Sequence, residues 1–469
     1  MKRSYIIRGL AFFAAALLLQ ACFVAKDYSR PEVLSNNSSY RTDLVSRDSS
    51  SLANLSWREL FQDTILRGYI EKALENNTDI RIAIQQISIA QSYYLQGKAG
   101  YLPTLSAGAR VNYQRLARNS QFGQFFNGSL TQYEVSALLS WEADIWGKIR
   151  STKRAAQASY LQSVAAHQAV TTQLIAGIAS SYFQLIALDE QLRIAEQTVK
   201  YRQASLETMR ALKDAGNVTE VGVKQTEAQL YSAQALVVET TRNIRMLENR
   251  ISILLGEEPG PIRRSTLDQQ QLADVELSIG FPVQLLRRRP DVIASEYNLI
   301  NSFELTNVAR SNFYPSLTIT SATGGLQSLD LDQLFSVNSL FATVVGGLTQ
   351  PILNGRRIRT QYEVAQSQQE IAYLNFRQSI LNATREVSDA LYSYEAAGER
   401  IDLKSQELAA YDTAVVFSEE LLNNGLINYL EVITARQNTL NSQLDLINAR
   451  FNQLNAVVDL YRALGGGWE

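Results

Sequence analysis

Residues 105–113 read LSAGARVNY, and this segment carries the clearest structural pattern of the sequence. Apolar or small side chains stand at every second position of this stretch, and polar residues or glycine fill the positions between them. Residues 133–141 alternate in the same way. Alternation over about ten residues, with aromatic residues at the ends, is typical of a β-strand that faces lipid on one side and water on the other. The sequence therefore predicts two such strands.

A second strand pair is predicted at about 316–325 and 338–350, where glycine and threonine blur the alternation. Four strands cannot close a barrel, and an open sheet edge in hydrocarbon leaves backbone groups unpaired at several kcal/mol each. Several copies of the chain must therefore share one barrel if these strands cross a membrane. Physics alone leaves the number of copies open from two upward.

The two strand pairs lie in two copies of one unit. Sliding the sequence on itself by about 210 residues brings the halves into register, and so long a period indicates a duplicated unit rather than a solenoid. The matched segments are 101–105 (YLPTL) with 313–317 (FYPSL), 147–152 (GKIRST) with 355–360 (GRRIRT), 212–216 (LKDAG) with 421–425 (LLNNG), and 254–256 (LLG) with 463–465 (ALG). Both halves are therefore expected to share one fold.

Each half is expected to contain one very long helix and two shorter helical stretches. The long helices are predicted at about 146–212 and 356–422, which contain no proline and would each extend roughly 100 Å at 1.5 Å per residue. The shorter stretches are about 60–97, 218–255, 282–310 and 429–464. The simplest geometry places the two short stretches end to end beside the long helix. Alanine-rich seams with glutamine and serine between them favour lateral packing in a hollow wall.

The N-terminus reads as a secretion signal. Lys2, Arg3 and Arg8 precede an apolar core at 10–19 that is too short to span a bilayer comfortably. The segment that follows, LQAC at 19–22, resembles a bacterial lipobox. By that resemblance, cleavage leaves Cys22 as a lipidated N-terminal residue, whose acyl chains anchor the protein to a membrane. Because Cys22 is the only cysteine, a disulfide within the chain is excluded.

Charge and motif content exclude other function classes. The formal net charge is -2 and becomes about -5 without the three signal-peptide cations, so nucleic-acid binding finds no support. Beyond the signal, no apolar run approaches the roughly 20 residues of a transmembrane helix. No nucleophile elbow, phosphate-binding loop or metal-ligand cluster is present, and the lone His167 is interpreted as a wall residue in a helix. We expect no enzyme activity, no cofactor and no bound metal.

With these elements in place, the chain resembles the outer membrane efflux protein (TolC-like) family, in its lipoprotein branch that serves resistance-nodulation-division pumps. The resemblance covers essentially the whole mature chain. Its motifs, in order, are DYSRP at 27–31, WEADIWGKIR at 141–150, LRRRPDV at 286–292 and ALGGGW at 463–468.

The resemblance implies a mixed α and β fold, mainly α. It implies a homotrimer with a twelve-stranded barrel in the outer membrane, continued by a long helical barrel in the periplasm. It further implies a passive duct for small toxic compounds such as drugs, lipid-anchored in the outer membrane. The implied partners are outer membrane lipid, an inner-membrane resistance-nodulation-division transporter, and a periplasmic adaptor that opens the closed tunnel end by engaging the helix tips.

The helix tips map to two short segments. They are Lys213, Asp214, Gly216, Asn217, Val218, Val221 and Gly222 in the first half, and Asn423, Asn424, Gly425, Leu426, Ile427 and Asn428 in the second. The glycines are equally well explained as ordinary left-handed helix caps. Family members often carry acidic side chains at the narrowest point of the second tip, whereas this tip carries asparagines, with Glu420 and Glu431 several residues away. The sequence therefore leaves the ion selectivity and the gating residues of this tip open.

Two alternatives remain open from the sequence: an outer-membrane duct for type I protein secretion, and a pore-less coiled-coil surface lipoprotein, which explains the helices but not the strands.

The expected organisation is a signal peptide (1–21), a lipidated extended segment (22–56), a first repeat (57–256), an equatorial linker (257–281), a second repeat (282–464) and a C-terminal tail (465–469).

Overall fold

The computed structural model describes residues 24–32, 52–117, 119, 123, 129–270 and 284–468, except the side chains at 320, 321 and 423. The predicted signal peptide and Cys22 lie outside the described residues. Among the described residues, 24–31, 87–163 and 295–376 form one compact unit, here the sheet unit. Residues 52–86, 164–270, 284–294 and 377–468 form a second compact unit, here the helical unit.

The two halves of the chain contain matching elements. The first half has α1 (Trp57–Leu60), α2 (Thr64–Asn76), α3 (Thr78–Ala99), β1 (Thr104–Arg115), β2 (Ser129–Ala143), α4 (Lys148–Asp214) and α5 (Glu220–Leu254). The second half has α6 (Leu285–Arg288), α7 (Pro290–Ser311), β3 (Ser316–Ser328), β4 (Leu340–Thr349), α8 (Arg357–Asn423) and α9 (Tyr429–Ala463). The matched helices have equal lengths: 67 residues for α4 and α8, 35 for α5 and α9, and 22 for α3 and α7. The predicted mainly α fold built from two repeats is confirmed.

The first short helical stretch is broken, whereas the sequence suggested one continuous stretch over 60–97. Asp63 caps α2, because its carboxylate accepts hydrogen bonds from the backbone N–H groups of Ile65 and Leu66. Asn77 separates α2 from α3, and its Oδ1 accepts from the N–H groups of Asp79 and Ile80 at 2.8 and 3.2 Å. Side-chain caps thus end one helix and begin the next without glycine or proline.

The breaks in the two halves are built alike, within the helical unit. Asn77 Nδ2 donates to the carbonyl oxygen of Leu254, the last residue of α5, at 2.9 Å. At the equivalent place, Arg289 Nη1 donates to the carbonyl oxygen of Ala463, the last residue of α9, at 3.2 Å. The short stretches therefore meet the ends of α5 and α9, as the equal lengths of the predicted elements suggested.

The first long helix begins two residues later than expected. The backbone turns at Gly147, whose φ is +76°, and Asp144 accepts from the N–H groups of Ile149 and Arg150, both at 2.9 Å. Trp146 lies before the helix and donates its indole N–H to the carbonyl oxygen of Pro315 at 2.7 Å. Asp144 is therefore the residue that fixes the helix start.

No transmembrane helix was predicted beyond the signal peptide. One 18-residue window of α4 is nevertheless apolar enough to cross a membrane by length and composition. Most of this window is buried within the protein. Buried side chains of α4 such as Ile178, Tyr182 and Phe183 contribute to the core of the helical unit. Core packing therefore accounts for the hydropathy of this stretch.

The four strands form one antiparallel sheet in the order β1-β2-β3-β4. The two predicted apolar faces coincide, because Leu105 pairs with Leu139 and Val111 pairs with Tyr133. The same face continues onto the second pair, where Leu139 lies opposite Ala322 and Ala322 lies opposite Val344. The sheet therefore presents one apolar surface across all four strands. Several of its large members are exposed, among them Leu105, Val111, Leu340 and Val344.

Candidate functional site

The two helix tips have the same backbone geometry. At the first tip Gly216 has φ +81°, and the N–H of Asn217 donates to the carbonyl oxygen of Leu212 at 2.9 Å. At the second tip Gly425 has φ +70°, and the N–H of Leu426 donates to the carbonyl oxygen of Leu421 at 2.9 Å. This six-to-one hydrogen bond after a left-handed glycine is a Schellman cap, which satisfies carbonyls at the end of a helix.

The structure brings the predicted residues of each tip together. In the first tip, Lys213 and Asp214 end α4, the turn holds Gly216, Asn217 and Val218, and Val221 and Gly222 belong to the first turn of α5. In the second tip, Asn423 ends α8, and Asn424, Gly425, Leu426, Ile427 and Asn428 connect it to α9. Both tips belong to the helical unit.

Two asparagines of the second tip, Asn424 and Asn428, make hydrogen bonds to the backbone. Asn428 caps α9, because its Oδ1 accepts from the N–H of Leu430 at 2.9 Å. Asn424 donates its Nδ2 to the carbonyl oxygen of Glu420 at 2.8 Å. Short amide side chains are preferred at such positions, since they replace hydrogen bonds that a helix end lacks. Asn424 and Asn428 thus have a local structural role.

An exposed ion pair crosses the first tip. Lys213 Nζ lies 2.6 Å from a carboxylate oxygen of Glu220, which joins the end of α4 to the start of α5. The hydrogen bond and charge of Glu220 raise the pKa of Lys213, and Lys213 lowers the pKa of Glu220 in return. Because both groups are in water, this pair orients the tip more than it stabilises the fold.

A small apolar core supports the first tip from below. It consists of Leu206, Met209, Val223 and Leu230, with Val199, Leu212, Val218 and Tyr429 packed against it. Tyr429 belongs to α9, so the core also holds the start of the second hairpin against the first. Above this core, apolar side chains reach water: Val221 is 64% exposed and Leu426 is 70% exposed. Such exposed residues at the end of a rigid support are suited to contact with another protein.

The segment that follows Cys22 is fixed to α7 within the sheet unit. Arg30 forms a bidentate ion pair with Glu296 at 2.6 and 2.7 Å, and Tyr28 packs edge-on against Phe303 with ring centroids 5.7 Å apart. Asn307 donates to the carbonyl oxygen of Lys26 at 2.9 Å and accepts from its N–H at 3.2 Å. These contacts explain the DYSRP motif. They also place the chain a few residues beyond Cys22 against the folded protein.

Two arginines near the tips, one buried and one half-buried, were not singled out from the sequence. Arg202 of α4 and Arg436 of α9 line one cavity of the helical unit. Both occur in helical stretches where an arginine ordinarily faces water, so only the tertiary packing reveals them. Among the described residues, no group of three or more histidine, cysteine, aspartate or glutamate side chains is placed to hold a metal ion.

Comparison with known proteins places this geometry among efflux channels. A model of the outer membrane efflux protein family matches residues 69–257 and 281–466, one segment in each half. The solvent efflux pump outer membrane protein SrpC of Pseudomonas putida is 30% identical over 98% of both chains. The cation efflux system protein CusC of Escherichia coli O157:H7 is 28% identical over 97% of this chain and 98% of its own. The open state of the Neisseria gonorrhoeae MtrE outer membrane channel superposes with a TM-score of 0.82 at 26% identity, over 95% of this chain and 98% of that one.

Proposed function

The chain belongs to the outer membrane efflux protein family, and we propose that three copies share one barrel and that a periplasmic adaptor docks on the helix tips. The protein is the outer membrane channel component of an efflux system. Three sheets of four strands would close a twelve-stranded barrel. The inner-membrane partner that we propose is a resistance-nodulation-division transporter.

The observation that carries the shared barrel is the open sheet with its exposed apolar face. In the described part of the chain, the outer edges of β1 and β4 pair with no further strand. An unpaired edge in hydrocarbon is costly, and pairing β4 of one copy with β1 of the next removes every edge. The same closure turns the apolar face toward lipid. The water-filled duct would then be enclosed by the copies together, so no single chain needs to contain a cavity for it.

We further propose that Cys22 carries the lipid anchor. The contacts of Lys26, Tyr28 and Arg30 with α7 support this proposal, because they hold the chain against the sheet unit immediately after the anchor. Mass spectrometry of the mature N-terminal peptide tests it: the acylated cysteine is the expected species, and an unmodified N-terminus elsewhere would contradict it.

The cargo that we propose is small toxic compounds delivered by the pump. The two relatives compared are named for different cargoes, solvents in one case and cations in the other, although their identities to this chain are nearly equal. This supports a passive duct whose specificity is set by the transporter. Deletion of the gene should therefore increase susceptibility to at least one drug, detergent, solvent or metal, and unchanged tolerance to all of them would contradict the efflux role.

Charge introduced at the tips is expected to abolish efflux without affecting membrane insertion. The variants are Val221→Glu and Leu426→Glu, whose exposed side chains touch little within the chain. A buried charge at an interface costs several kcal/mol, so adaptor docking should fail. Complementation of the deletion strain gives the readout, namely toxicant susceptibility together with the amount of assembled protein in the outer membrane.

Val238→Glu is the matched control, since Val238 is equally exposed but lies on α5 about five turns from the tip. We expect it to restore tolerance. Full efflux by both tip variants would contradict adaptor docking at the tips, while leaving the channel itself in place.

A further inference from the structure

A cavity of about 370 Å³ lies in the helical unit, below the tips. Helices α4, α5, α8 and α9 all contribute to its wall. The wall contains Tyr201 and Arg202 from α4, Thr226 and Gln229 from α5, Val415 from α8 and Arg436 from α9. We call it the arginine cavity. Its volume falls within the range of pockets that bind small organic molecules.

Arg202 places a positive charge at this cavity without a carboxylate to balance it. The residue is only 7% exposed, and its Nη2 donates to the side-chain oxygen of Gln437 at 2.7 Å. No ion pair joins Arg202 to an acidic residue anywhere in the described chain. Burial lowers the pKa of Arg202, and the nearby positive charge of Arg436 lowers it further. A buried charge with only neutral partners is unfavourable, so this arrangement lowers the stability of the folded protein.

The other charged groups of the cavity do not compensate Arg202. Arg436 pairs with Glu419, and its guanidinium lies over the ring of Tyr201, 5.2 Å from the centroid. Asp412 also lines the cavity, but it is exposed to water and forms no ion pair with Arg202. Arg436 and Glu419 cancel one another, which leaves Arg202 as the buried charge of the wall that has no ion-pair partner.

A second buried polar atom at the same wall lacks a partner. Gln229 Oε1 is inaccessible to solvent and makes no hydrogen bond. Because this oxygen has no surface open to the cavity, a ligand in the cavity does not contact it. The remaining wall is aromatic or aliphatic, from side chains such as Tyr429, Val415 and Ile433. The cavity thus offers a cation and largely apolar walls.

We propose that the arginine cavity binds a small organic carboxylate, with the carboxylate against Arg202. Charge-assisted hydrogen bonds to a guanidinium are among the strongest in proteins, and they would satisfy Arg202. Because the walls come from both hairpins, the ligand contacts α4 and α5 on one side and α8 and α9 on the other. Binding therefore stabilises the packing of the two hairpins that end in the tips.

Isothermal titration of the intact protein in detergent with 4-hydroxybenzoate tests the proposal. We expect saturable binding to the wild type and none for the uncharged analogue 4-hydroxybenzamide. Arg202→Met keeps the length of the side chain and removes its charge, so the affinity should fall at least about tenfold, which corresponds to about 1.4 kcal/mol. Arg210→Met is the matched control: Arg210 is exposed on the same helix and does not line the cavity, and its loss should leave binding unchanged.

Val415→Trp keeps Arg202 and fills the cavity, so it should abolish binding even if Arg202→Met folds poorly. Lack of saturable binding of 4-hydroxybenzoate to the wild type would overturn the proposal. Wild-type affinity in either Arg202→Met or Val415→Trp would overturn it as well.

Discussion

Replacing Arg289 by methionine is expected to destabilise the folded chain by about 3 kcal/mol, the lower end for breaking a buried ion pair. Arg289 is the third arginine of the RRRPD motif, and its side chain is 7% exposed. It donates to both carboxylate oxygens of Asp291 at 2.9 and 2.6 Å, to Glu386 at 2.9 Å, and to the carbonyl oxygen of Ala463. Methionine leaves these acceptors without their donor at the point where α7 meets the end of α9.

The lower end of that range applies because the acidic partners are not fully buried. Asp291 is half exposed, and Glu386 keeps a second arginine, Arg462, at 3.8 Å. Burial is the largest single influence and raises the pKa of Asp291, but the hydrogen bond with Arg289, the charge of Arg289 and backbone hydrogen bonds together lower it more, so the folded-state pKa is below the usual value. The contribution of this pair is therefore present above about pH 4 and is lost as the pH falls through the folded-state pKa.

Thermal dissociation of the detergent-solubilised oligomer at a fixed scan rate measures the effect, since membrane proteins often unfold irreversibly. Arg287→Met is the matched control, because Arg287 belongs to the same motif and is exposed. Its effect should stay within about 0.5 kcal/mol. Equal effects of the two substitutions would show that the motif is not organised around Arg289.

Replacing Gly325 by alanine is expected to prevent assembly of the sheet. A Cβ atom at this position would lie 2.1 Å from the carbonyl oxygen of Val135 and 2.6 Å from the Cα of Ser136. Both are backbone atoms of β2, so neither can move without opening the ladder between β2 and β3. That ladder joins the strand pair of the first half to the strand pair of the second. Assembled, heat-modifiable oligomer should therefore disappear from the outer membrane fraction on gel electrophoresis.

Gly324→Ala provides the control at the neighbouring position. Its Cβ would lie 3.7 Å from the nearest atom, the carbonyl oxygen of Phe341, which is an ordinary contact distance. We expect this variant to assemble like the wild type. Normal assembly of Gly325→Ala would mean that β2 and β3 do not pair as the structure has them.

The sheet and the long helices could be predicted because each depends on a periodic pattern within the chain. Alternation placed Leu105 and Val111 on the apolar face, and the ladder pairs them with the predicted apolar positions of β2. The strand pair of the second half was found through the repeat, since glycine hides its alternation. The irregularities in register after Leu139 and after Ile319 leave no periodic pattern in the sequence, because they depend on pairing with the neighbouring strand.

Features made by tertiary contacts could not be predicted. Asparagine is common in loops and helices alike, so Asn77 alone does not predict the break between α2 and α3. The break also involves the hydrogen bond from Asn77 to the carbonyl oxygen of Leu254, which is 177 residues away. The burial of Arg202 likewise results from the packing of two hairpins that are distant in sequence. At the tips, by contrast, Gly216 and Gly425 could be placed from the repeat alone, because the left-handed turn needs glycine in both halves.

Open four-stranded sheets from several chains are proposed to close into one conducting pore, and single-channel recording in planar lipid bilayers detects such a pore. We predict stepwise conductance from the purified wild type and from Gly324→Ala, and none from Gly325→Ala. Folded, membrane-inserted wild-type protein that carries no current would contradict the claim.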